Sequence, residues 1–113
     1  MMARAGRKPF FMGQSLFRAF MLGSELCEAS EKISDAEGWR SFVAQTGLSA
    51  RSVRRYMAFA RWAYEKPDDL AALLVCAQKH WHGREPSFLI APKIAPVIVR
   101  LLQAANKNRG GNG

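Results

Sequence analysis

Arg51, Arg54 and Arg55 fall within one helical turn of "QTGLSARSVRRYM", residues 45–57, and Arg61 follows about two turns later. The planar fork of arginine can give two hydrogen bonds to guanine O6 and N7, and its charge displaces counterions from phosphates. This spacing therefore suits a nucleic-acid contact. Arg51, Arg54 and Arg55 are placed for base or nearby phosphate contact, and Arg61 for the backbone at the groove's rim. Arg40, Ser49 and Ser52 are further candidates for the phosphates, and small Ala50 and Ala58 would let the helix backbone come close.

Other chemistry finds few residues. Cys76, His80 and His82 lie close together, but zinc normally takes four ligands and no second pair at suitable spacing exists, so no metal is expected. There is no glycine-rich phosphate loop, no Ser/His/Asp set and no convincing carboxylate pair. The chain reads as a binding protein, neither an enzyme nor a carrier of a cofactor. Cys27 and Cys76 are far apart and read as two separate helix thiols.

Charge points the same way. The 113 residues carry 17 basic and 9 acidic side chains, a net charge of +8. That excess favours an anionic partner. Five acids lie between Glu25 and Glu37 and three between Glu65 and Asp69, while residues 38–64 contain five arginines and no acid. No apolar run reaches the roughly 20 residues of a membrane span. The N-terminus lacks the apolar stretch of a secretory signal, so a cytoplasmic protein is expected.

The elements that would position these residues are helices. Helical apolar spacing runs through "SLFRAFMLGSELCEASEKIS", with Gly23 a weak point in its middle. Ser34 and Glu37 have the spacing of a capping box, so a second helix should begin near Asp35. Gly47 can end it in the left-handed conformation and Ser49 can cap a third helix, Ala50 to about Lys66. Pro67 should start a fourth, stopped near Gly83. Pro92 and Pro96 predict that the last helix spans only 96–106. Residues 1–13 would be a basic flexible arm, 14–106 a helical domain and 107–113 a disordered tail.

Two short helices joined by a glycine-containing turn describe a helix-turn-helix, whose second helix enters the major groove. Phe42, Val43, Leu48 and Val53 should form its small core, with Met57, Ala60 and Tyr64 continuing the buried stripe. The expected fold is all-α: a helix-turn-helix core of about three helices with two further C-terminal helices. Trp39, Trp62 and Trp81 are expected as core or interface anchors.

The stretch Leu22–Trp62 resembles a small helix-turn-helix family carried by bacterial phages, plasmids and other mobile elements, largely of unknown function. The resemblance lies in "EASEKIS" closing a leading helix, an acid- and glycine-containing loop, W-x-x-F, then GLS-x-R-S-V-x-R-Y-M-x-x-A. The chain departs from the wider pattern at Val43, where a small alanine usually permits close helix contact; Ala44 stands one place late. The resemblance implies sequence-specific binding of double-stranded DNA in mobile-element regulation or maintenance.

A transcriptional regulator is thus the leading expectation, as a homodimer reading two half-sites about 34 Å apart. "FLIAPKIAPVIVRLLQ" could form the dimer interface or close the monomer's own core. Arg4, Arg7 and Lys8 could reach an adjacent minor groove or merely aid solubility. Two other functions fit the charge: a phage-encoded inhibitor of a host protein, and a DNA-coating or segregation protein of little sequence preference. No small-molecule substrate and no membrane partner are expected.

Overall fold

The computed structural model describes residues 15–110. Arg4, Arg7 and Lys8 of the expected arm lie outside the described residues. Within them the chain is all-α: α1 (Leu16–Lys32), α2 (Ala36–Thr46), α3 (Ala50–Glu65), α4 (Pro67–His80) and α5 (Ala91–Gly110).

Each boundary has a local cause. The Ser15 hydroxyl accepts the Arg18 amide at 3.1 Å, and the Leu16 amide donates to Glu85 Oε1 at 2.7 Å, tying the start of α1 to the loop before α5. At α2 the capping residue is Asp35, whose carboxylate accepts the Gly38 amide at 2.8 Å. The expected Ser34–Glu37 box does not form. Serine and aspartate cap about equally well, and the carboxylate at the positive end of the helix adds a charge-assisted bond. With the cap at Asp35, Glu37 stands one position too early to reach back.

α2 ends at Gly47, whose φ of 77° is the left-handed conformation a C-terminal glycine adopts without a Cβ penalty. Ser49 then caps α3, its hydroxyl accepting the Ser52 amide at 3.0 Å. Pro67 opens α4 directly after α3, with Asp68 and Asp69 in the first turn and Lys79 and His80 in the last, each complementing the helix dipole. The Trp81 and Gly83 amides both donate to the Ala77 carbonyl and close α4.

The last helix differs from expectation. α5 begins at Ala91, five residues earlier than the prolines suggested, and runs on to Gly110, beyond the expected end at 106. Pro92 sits in the first turn, where an amide N–H would have no intrahelical partner. Pro96 is exposed while Ala91 and Ala95 are fully buried. Packing of the opposite side thus offsets the about 3 kcal/mol an internal proline costs. No breaker stands between Gln103 and Arg109 to stop the helix at 106.

α3 is the shared helix of two apolar clusters. Val53 and Met57 join Leu26 of α1, against Trp39, Phe42 and Val43 of α2 and Leu48 of the turn. Phe59 joins Leu16, Ala19, Leu73, Phe88, Ala91 and Ala95 from α1, α4, α5 and the loop between them. Tyr56 touches both clusters and stacks on Phe88, ring centroids 4.4 Å apart. The expected core of Phe42, Val43, Leu48 and Val53 is present, and Trp39, Trp62 and Trp81 all pack against a cluster.

Tyr64 does not continue the buried stripe as expected; it is 84% exposed, while Phe59 and Ala63 are buried instead. Val53 and Met57 pack beside α2, and further along α3 Phe59 packs with Leu73 of α4 and Ala91 and Ala95 of α5. The described chain is a slab, 61 × 40 × 16 Å.

Candidate nucleic-acid interface

At 100° per residue the buried residues of α3, Val53, Met57, Phe59, Ala60 and Ala63, occupy one arc of roughly 160° that also holds half-buried Tyr56. The opposite arc holds Ala50, Arg51, Arg54, Ala58 and Arg61, all exposed, with half-buried Arg55 at its edge next to the Phe59 side. Four guanidinium groups thus share a face about 15 Å long from Arg51 to Arg61. Placing them there leaves the core intact, because the same helix buries its other side. Among the described residues none of the four is ion-paired; Lys32–Glu28 on α1, at 3.4 Å, is a pair remote in sequence from all of them.

The arginines divide by edge. Arg54 and Arg61 line a cavity of about 410 Å³ together with Trp39, Val43, Val53 and Met57. Arg51 and Arg55 occupy the other edge. Arg40 on α2 is exposed, outside either cavity wall.

The two serines have different roles. The Ser49 hydroxyl accepts the Ser52 amide and donates its proton to Ser52 Oγ at 3.1 Å. Its single donor is thereby spent within the cap. Ser52 Oγ, in accepting that proton, keeps its own for an outside acceptor such as a phosphate oxygen.

Folding also brings together what the sequence kept apart. Arg61 lines a second cavity, of about 380 Å³, with Glu28 and Glu31 of α1. Residues 38–64 contain no acid, yet one end of the basic face lies beside two carboxylates from thirty residues earlier. No local pattern could have shown this, since it depends on how α1 crosses α3. Positive charge is therefore least opposed at Arg51, Arg54 and Arg55, the N-terminal half of the face.

The close crossing is made by Gly23. A Cβ there would stand 2.1 Å from the Tyr56 carbonyl oxygen and 2.8 Å from Ala60 Cβ. The small residue that lets two helices approach is thus on α1, not on α2. Ala44 is exposed and Val43 packs into the cluster below the turn.

Cys76 is half-buried, and His80 and His82 are exposed. Among the described residues no group of three or more His, Cys, Asp or Glu is placed to hold a metal ion. No helix among them is long and apolar enough to cross a membrane. Comparison of the chain with family models, curated proteins and solved structures gives no match.

Proposed function

We propose that α2, the Gly47–Ser49 turn and α3 act as a helix-turn-helix that reads double-stranded DNA, with α3 in the major groove, in a dimeric transcriptional regulator of a phage, plasmid or other mobile element. The observation that carries this reading is the division of α3: one arc builds both apolar clusters, and the other presents Arg51, Arg54, Arg55 and Arg61 to solvent around small Ala50 and Ala58. In this arrangement Arg51, Arg54 and Arg55 reach base edges or nearby phosphate, and Ser52 meets phosphate at one side. Arg61 holds the backbone further along, and Arg40 contacts it from α2.

A solvent-exposed basic helix also suits an acidic protein surface, and a coating protein would use the same charge without reading sequence. Competition separates the three. Fragments selected from the genome that encodes the chain should be preferred over random duplex by about 10³-fold or more. Equal affinity for all duplexes identifies a coating protein, and no binding to duplex at low salt removes DNA as the partner.

A further inference from the structure

α5 extends past its support. Its buried residues, Ala91 and Ala95, and half-buried Ile94 and Ile98 all lie in the first half of the helix, whereas Leu101 to Lys107 are exposed throughout, Leu101 at 65%. A helical stretch of that length without packing is marginal in water. Yet it carries two leucines. Val97, Leu101 and Ala104 follow i, i+4, i+7 and form one apolar stripe. Beside it run Lys93, Arg100 and Lys107, seven residues apart, in a helix with no acid.

A second α5 laid on this stripe would bring basic edges into a helix pair with no acid to meet them. The complementary surface exists on α1. There Phe17, 68% exposed, and Met21, 44% exposed, stand one turn apart, and the same outer face continues into Glu25, Glu28 and Glu31, all exposed. Apolar contacts and negative charge thus occur together on α1, where Glu28 is shared with Lys32 at 3.4 Å and Glu25 and Glu31 make no ion pair among the described residues.

We propose that the free half of α5 lies across the outer face of α1 of a second copy, its apolar stripe on Phe17 and Met21 and its basic edge against the α1 glutamates. Two-fold symmetry repeats the contact, so each copy both gives and receives α5. The repetition matters for size. One crossing of two helices falls well short of the about 800 Å² per partner of a standard interface, and two crossings approach it. This pairing rests on the dimer proposed above and not on the DNA contact. It is measured without DNA, so the failure of one reading is distinguishable from the failure of the other.

The test is sedimentation equilibrium of the full chain alone, up to about 100 μM, above the micromolar upper end of dissociation constants for interfaces of this size. The parent should show dimer mass. Leu101→Glu should be monomeric over the whole range, its far-ultraviolet circular dichroism losing at most the helical signal of the unpaired end of α5. The paired reversal Arg100→Glu, Lys107→Glu should also be monomeric, and adding Glu28→Lys and Glu31→Lys should restore the dimer. A monomeric parent, a dimer indifferent to Leu101→Glu, or a reversal that the α1 changes fail to rescue would each overturn the pairing.

Discussion

Gly23 of α1 lies against the Tyr56 carbonyl of α3 so closely that a single added carbon would stand 2.1 Å from the oxygen. Two opposing effects act on Gly23→Ala. Helix propensity favours alanine by about 1 kcal/mol. The clash is with backbone and with Ala60, neither of which can turn aside, and overpacking of this kind costs about 1–3 kcal/mol. Because the 2.1 Å approach is to backbone, the clash lies at the upper end of that range, and Gly23→Ala should destabilise the protein by about 1–2 kcal/mol net in urea unfolding. A variant as stable as the parent would show that α1 and α3 do not cross here.

The turn separates conformational from packing effects. Nothing lies within 4 Å of a Cβ built on Gly47, so Gly47→Ala meets no clash and pays only for its φ of 77°. That cost is about 1–2 kcal/mol, and Asn, which tolerates the left-handed region, should lose less. Ser49→Ala should cost about 1 kcal/mol by freeing the Ser52 amide. Thermal unfolding of the three variants checks the order; Gly47→Asn falling below Gly47→Ala would contradict it.

How far the sequence revealed this arrangement depends on the range of the interactions. Gly47, Ser49 and Pro67 act on their nearest neighbours, and the helix ends they imply are where they should be. The capping of α2 was off by one residue because Ser34 and Asp35 are both good caps, and only geometry decides between them. Pro96 misleads a local reading because its cost is local while its compensation, burial of Ala91 and Ala95, is tertiary. The basic arc of α3 follows from spacing alone. The glutamates beside Arg61 and the meaning of Gly23 depend on one helix crossing, which leaves no mark in either segment by itself.

Phe59 and Tyr64 test where the apolar stripe of α3 goes. Phe59 is 2% exposed and contacts Trp62 and Phe88, so Phe59→Ala should cost about 3–5 kcal/mol. Tyr64→Ala removes an exposed side chain and should change stability by no more than about 0.5 kcal/mol. Denaturant midpoints give both values. Comparable losses would mean that the C-terminal half of α3 is covered where it is shown open.

The arginines of α3 should differ in kind as well as in magnitude. Arg54→Ala removes a group placed over the N-terminal half of the basic face, where no acid opposes it, and should weaken binding to the selected DNA by about 1–3 kcal/mol while relaxing preference at one base pair. Arg55→Ala should lose a similar amount. Arg61→Ala should weaken all duplexes alike and lower the slope of log affinity against log salt by about 1, as expected for a phosphate contact. All three side chains are exposed or half-buried, so the circular dichroism of the variants should match the parent. Fluorescence anisotropy on specific and random duplex, at two or more salt concentrations, separates the two classes. If Arg54→Ala and Arg55→Ala both bound like the parent, the exposed arc of α3 would not be the surface that meets DNA.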